Sequence, residues 1–330
     1  MALHSGEQPA DIVQEMLELT SQNLTRLEVK QHYKVIKELG RGKYGQVLLV
    51  LHRIRGTPMA LKLMEKDKTK LGNFLYEYCA ALYLSSHPNV IGMFGIVFET
   101  PNHYGFAYEC ALNKDLHSVI QPRVGVPEPA VKRCAQQICS ALEFIHSKGF
   151  VYRDVKPENI LIFDRECRKV KLTDFGLTRP KGTLLKLVSV ILPYTAPELG
   201  ELKDSAGLPI DYNLDVWAFG VLLFSILTGF FPWQHALPSD SFYEDFVIWQ
   251  ESQSSDDLPF HWSRFTKEAL MMFGKLLAID PVNRSPITEV LKYLDTPWKL
   301  ENWDEVTEVK NPESLASMVE ADTTELEKRT

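Results

Sequence analysis

The chain has 330 residues, 45% hydrophobic and 24% charged, ordinary globular values that suit one large two-lobed domain or two small ones. Its 43 acids against 36 bases give a formal net charge of −7. The excess sits in residues 1–31 and 301–330, which leaves a near-neutral body and argues against a nucleic-acid partner.

No basic-then-apolar signal pattern opens the sequence. Ile12, Val13, Met16, Leu17, Leu24 and Leu27 recur at helical spacing and predict one amphipathic helix over 9–29, inside an N-terminal extension of residues 1–32. Such a helix packs on its own domain or presents an apolar face to a partner. Strand patterns follow at 33–39, 47–51 and 59–63 and imply three antiparallel strands. Between the first two lies Gly40-Arg41-Gly42-Lys43-Tyr44-Gly45-Gln46-Val47, a G-x-G-x-x-G-x-V segment. Glycine lets backbone amides approach phosphate oxygens without a side chain in the way. Dinucleotide-binding loops share this pattern, but they open a helix. Here Val47 continues a strand, so the segment, from Leu39 to Val47, is expected to lie over phosphates as a flap.

Ala60 and Lys62 share one strand face, and Met59, Leu61 and Leu63 the other. A cation on that strand can reach the phosphates under the flap. Residues 72–86 read as an apolar helix, and Glu77 is the one carboxylate between Asp67 and Glu99. A buried acid in such a helix needs a partner, and Lys62 is expected to be it. Strands at 92–98 and 103–109 close the sheet.

Helical periodicity then takes over at 129–148. After it comes Arg153-Asp154-Val155-Lys156-Pro157-Glu158-Asn159, a carboxylate, an ammonium and a carboxamide on one short loop. Phosphoryl transfer from a metal nucleotide needs that trio: Asp154 to accept the proton of an attacking hydroxyl, Lys156 to steady the moving phosphoryl oxygens, Asn159 to hold magnesium. Ile160–Ile162 and Val170–Leu172 read as a hairpin leading to Asp174-Phe175-Gly176, where Asp174 can take a second hold on magnesium. Ala196-Pro197-Glu198, Asp215 and Arg284 read as structural supports, with a Glu198–Arg284 ion pair and an Asp215 anchor under the catalytic loop.

The apolar run Val216 to Phe231 is broken by Ser225, Thr228 and Gly229, too short for a bilayer and expected to be a buried core helix. Helices at 265–278 and 286–294 follow. Residues 299–330 hold nine acids and few core residues, and this tail is expected to be disordered. Cys79, Cys110, Cys134, Cys139 and Cys167 form no C-x-x-C pair, which points to thiols in a reducing compartment, no disulfide framework and no zinc site. A cytoplasmic location is the expectation.

With these motifs in order, residues 33–298 resemble the eukaryotic protein-kinase domain. Lys156, two positions after Asp154, is similar to the serine/threonine branch. Thr173 to Arg179, Pro193 to Glu198, and Phe242 to Phe246 with Trp249 resemble the SH3-domain-binding kinase group. The resemblance implies an α+β bilobal fold, with an antiparallel N-lobe sheet plus one helix (about 33–110) and a mainly helical C-lobe (about 111–298). It implies ATP and Mg2+ as cofactors and protein Ser/Thr hydroxyls as acceptors. Tyr108 then borders the adenine pocket, Glu109, Cys110 and Ala111 form its backbone hinge, and Asp115 reaches the ribose or a basic substrate residue. The resemblance also raises SH3-domain partners, although no P-x-x-P occurs.

Tyr152 and Ile191 depart from the family pattern, which has histidine and threonine at most such positions. Arg153 asks for a phosphate on the activation segment, where Thr183 and Ser189 are the hydroxyls between Thr178 and Tyr194. The rival readings are a pseudokinase scaffold, binding partners through Leu184, Leu185, Leu187 and Val188 or the N-terminal helix, and a small-molecule kinase.

Overall fold

The computed structural model describes residues 9–186, 191–202 and 207–301. The first described element is α1 (Pro9–Gln22), whose Ile12, Val13, Met16, Leu17 and Thr20 form its covered stripe. The helix stops seven residues before the expected end. Asn23 turns its side-chain amide back to donate to Leu19 O at 2.7 Å, the local competition that favours this residue at helix ends. Thr25 and Arg26 then form β1, followed by the short α2 (Val29–His32). Leu24 and Leu27, expected on the helix, instead reach two different cores from extended chain. Their spacing imitates helical period without belonging to a helix.

β2 (Tyr33–Gly42), β3 (Gly45–His52) and β4 (Pro58–Glu65) form the expected antiparallel run. α3 (Leu71–Leu84), β5 (Met93–Glu99) and β6 (His103–Tyr108) follow. The sheet has six strands in the order β1-β5-β6-β4-β3-β2, with β1 parallel to β5 and the other pairs antiparallel. Alternation along β4 sends Ala60 to the main core with α3, while Met59, Leu61 and Leu63 build a second core with Leu48, Val50 and Phe98. Leu27 and Val29 cover that outer core.

The second lobe begins with α4 (Glu128–Ser147), then β7 (Phe150–Val151), β8 (Ile160–Ile162) and β9 (Val170–Leu172). β10 (Arg179–Pro180), β11 (Leu184–Leu185), α5 (Pro197–Gly200) and β12 (Leu208–Pro209) line the segment after Asp174. α6 (Asn213–Thr228) is buried along nearly its whole length and ends at Gly229, whose φ of 78° suits only a residue without Cβ penalty. α7 (Ser241–Ser252) and α8 (Lys267–Leu276) complete the lobe, and residues 287–293 form a 3-10 helix where an α-helix was expected. α7 was not legible as a helix. Its start is fixed by Asp240, which accepts the Phe242 and Tyr243 amides. Among the described residues no helix is long and apolar enough to cross a membrane. This is the expected α+β bilobal architecture. The tail, beyond residue 301, lies outside the described residues.

Candidate active site

The glycine segment is a tight hairpin, with Gly42 paired to Gly45 and Lys43 and Tyr44 at its tip. Its glycines are not equivalent. A Cβ on Gly45 would lie 1.9 Å from Leu63 O, so this glycine exists for the β3–β4 pairing. Cβ atoms on Gly40 and Gly42 would meet nothing within 4 Å, which leaves bare backbone of the kind a phosphate chain requires. Arg41 is tied to Glu38 at 2.6 Å and to Gln46 at 2.8 Å, and Lys43 lies over the exposed Tyr44 ring. Leu39 and Val47 pack against the main core.

Lys62 faces inward from β4, as the alternation predicts. Its Nζ lies 2.5 Å from Glu77 Oε1 on α3 and 3.5 Å from Asp174 Oδ2. Burial opposes the Lys62 ammonium, but Glu77 and Asp174 outweigh it and hold its pKa above the ordinary lysine value. Burial pushes the Glu77 carboxyl up, against the pull of Lys62. Gly176 packs against both acids: a Cβ there would lie 3.4 Å from Asp174 Oδ1 and 3.5 Å from Glu77 Oε2.

The catalytic loop hangs from α6. Asp215, fully buried, accepts the Tyr152 amide at 2.8 Å and the Arg153 amide at 2.7 Å, and His146 Nε2 lies 2.8 Å away. These bonds hold Arg153 at φ 71°, a left-handed conformation that costs a non-glycine residue about 1–3 kcal/mol. The next residue, Asp154, is thereby presented with Lys156 Nζ at 2.8 Å from its Oδ1. Asn159 Nδ2 donates to Asp154 Oδ2 at 2.7 Å and to its backbone oxygen at 3.0 Å, so the Asn159 side-chain Oδ1 is the atom left for a cation.

Asp174 also has positive φ, 59°. It is locked beside the loop because Thr173 N–H donates to Asn159 O at 3.0 Å while Tyr152 Oη–H donates to Thr173 O at 2.5 Å. Tyr152 therefore bridges the two halves of the site, and its ring packs edge-on to Phe175 at 5.4 Å. Sequence reading noted this tyrosine as a departure and missed its structural use. Burial would raise the Asp174 carboxyl, but Lys62, the Gly176 amide and Lys156 outweigh it and hold its pKa below the ordinary value. Its side chain keeps 41% exposure. An ionised carboxylate and an amide oxygen at an open edge are hard donors that fit Mg2+, which keeps several waters and takes one or two protein ligands.

The expected supports are present. Arg284 grips Glu198 with both terminal nitrogens, at 2.8 and 3.1 Å. At the expected hinge, the Glu109 carboxylate pairs with Lys171 and accepts the Gly92 amide at 2.6 Å, and Ala111 and Tyr108 are buried. Asp115 caps a 3-10 turn, its Oδ1 accepting the Ser118 amide at 2.9 Å. Arg153 and Arg179 both donate to backbone carbonyls of the segment after Asp174, at Leu177 and at Gly176 and Thr178. Leu187, Val188, Ser189 and Val190 lie outside the described residues.

A bilobal fold whose glycine hairpin stands beside a part-buried lysine–glutamate pair, with Asp154 and Asp174 on linked loops, defines a class. A profile described as protein kinase domain matches residues 33–298, and the chain belongs to the protein kinase family. Within it, the chain is 55% identical over 291 residues to the serine/threonine-protein kinase SBK1 of Danio rerio, covering 88% of this chain and 75% of that protein. It is 48% identical over 299 residues to the serine/threonine-protein kinase SBK2 of Homo sapiens, covering 90% and 86% of the two chains. The serine/threonine-protein kinase meng-po of Drosophila melanogaster is 36% identical over 271 residues, covering 81% of this chain and 58% of that protein.

Proposed function

We propose that this protein transfers the γ-phosphoryl group of ATP to serine or threonine hydroxyls of proteins, with residues 33–298 as the catalytic domain. The observation that carries the reading is the meeting of two clusters, Lys62–Glu77–Asp174 and Asp154–Lys156–Asn159, joined by the Thr173–Asn159 bond. Leu39 to Val47 would cover ATP, with the bare backbone of Gly40 and Gly42 free to take its phosphates and the backbone of Glu109 and Ala111 its adenine. Lys62, held by Glu77, orients the phosphates. Asn159 and Asp174 would hold magnesium, which when bound offsets phosphate charge. Asp154 orients the acceptor hydroxyl and takes its proton, and Lys156 steadies the transferred group. The chemistry is positioning plus charge stabilisation in a preformed site.

A pseudokinase scaffold is disfavoured because all of these polar groups are present and mutually bonded. Substrates are protein segments, and an SH3-domain partner would have to be engaged without a P-x-x-P ligand. Five free thiols support a reducing, cytoplasmic setting. The test is Asp154→Asn. Nucleotide affinity is expected to stay within about twofold, while kcat for a peptide substrate falls by about 10²–10⁴. Equal phosphate transfer by mutant and parent would refute the role.

A further inference from the structure

We propose that α1 is a positioning element of the reaction, acting through Glu77. The inference rests on the Lys62–Glu77 assignment proposed above. α3 is apolar almost all round, with Phe74, Leu75, Tyr78, Cys79, Ala80, Ala81 and Leu84 buried. A helix of that kind needs cover on every side. Lys62 and β6 cover one side: Glu77 meets Lys62, and Phe74 and Tyr78 pack on Tyr104 and Phe106 with ring centroids 5.0 and 5.9 Å apart.

The opposite side belongs to α1. Cys79 is two residues past Glu77, about 200° around the helix, and Leu75 and Leu82 share its flank. Thr20 Oγ1 of α1 lies 3.7 Å from Cys79 Sγ. Val13 is 1% exposed, and Met16 and Leu17 pack into the same core as Leu75 and Cys79. α1 packs along α3, so Glu77 is pressed toward Lys62 from behind.

α1 is not a loose arm. The chain that follows it enters the sheet as β1 beside β5, with Leu27 N–H donating to Glu99 O at 2.9 Å. Glu99 also binds Arg26 at 3.2 Å and Lys66 at 2.7 Å. Leu24 enters the main core, and Leu27 the outer one. A segment that precedes every sequence motif of catalysis thus sets the position of the helix that carries one of them.

The test is a double-mutant cycle on the full chain, with Val13→Asp, Glu77→Gln and both together. The readouts are kcat at saturating ATP and peptide, and KM for ATP, per molecule competent to bind nucleotide. Val13→Asp is expected to lower kcat about 10-fold or more, the effect of a small misplacement, and Val13→Ile to keep it within about twofold of the parent. In the Glu77→Gln background the same change is expected to cost less than about twofold, because the group it positions is gone. Equal losses in both backgrounds, or an unchanged kcat per competent molecule, overturn the inference and leave α1 a structural cover. A parental kcat in Glu77→Gln removes the Lys62–Glu77 assignment and the inference with it. Should Val13→Asp fail to fold, Met16→Ala and Leu17→Ala enter the same cycle, and the same comparison of the two backgrounds decides.

Discussion

Asp215 is a fully buried carboxylate, bearable because the Tyr152 and Arg153 amides and His146 surround it. Arg284 is buried too, and Glu198, Ala278 O and Asn213 O accept its hydrogen bonds while Trp217 lies under its guanidinium at 4.9 Å. His261 is the contrasting residue, 5% exposed and ringed by Phe224, Phe242 and Trp262. Burial and the nearby Arg264 push its pKa down from 6.5 to about 4, with a hydrogen bond to the Pro232 backbone and the charge of Asp240 only partly opposing. The unfolded chain then binds a proton that the native state refuses. The stability tied to neutral His261 is complete above pH 6.5 and is lost as pH falls toward 4. Denaturant titration of the parent is expected to show about 2 kcal/mol less stability at pH 5 than at pH 7.5 from this residue. His261→Phe should remove that increment and leave other acid losses in place; an identical pH slope in both proteins would mean that His261 is already charged when folded.

Among the elements, those that carry chemistry were the most legible, because each combines a period with a polar exception. β4 alternates around Lys62, α3 is apolar around Glu77, and the β8–β9 hairpin delivers Asp174. α1 and β1 were less legible because Leu24 and Leu27 continue a helical spacing that the chain abandons at Asn23. Backbone pairing between short distant strands left no local trace, and the activation segment is the clearest case. β11 pairs with β12, the Gly182 amide donates to Ile210 O at 2.8 Å, and the Ile210 amide to Thr183 O at 3.0 Å. Lys181 binds Asp211 at 2.9 Å and β10 pairs with β7. Thr183 Oγ1 is spent on Pro180 O at 2.7 Å, and Arg153 and Arg179 already have carbonyl partners. This ladder orders the start of the segment without a phosphate. Phosphatase treatment, checked by intact mass, is therefore expected to change kcat by less than about twofold, whereas Ile210→Pro, which deletes a ladder bond, should lower kcat/KM for peptide by about 10-fold. A large loss on dephosphorylation would show that the ladder alone does not suffice.

Over the whole molecule, one apolar core runs from Val13 and Phe74 through Val90, Ile91 and Leu172 to α6 and Trp298. The Ile91 amide donates to Leu172 O at 2.9 Å and the Leu172 amide to Asn89 O at 2.8 Å, so backbone bonds stitch the lobes beside the cleft. Lys62 stands on one lobe and Asp174 on the other, 3.5 Å apart, and a ligand bridging them couples both lobes to one binding event. A ligand that binds only the folded state at 100 times its Kd adds about 2.7 kcal/mol, which raises Tm by roughly 5 °C for a chain of this size. A nonhydrolysable ATP analogue with magnesium is expected to give that rise in differential scanning calorimetry. Asp174→Asn should lose most of the magnesium-dependent part while retaining the smaller shift from nucleotide alone, because Lys62, Gly40 and Gly42 are untouched. An equal rise in Asp174→Asn and the parent would take the cation away from Asp174 and move it to another donor.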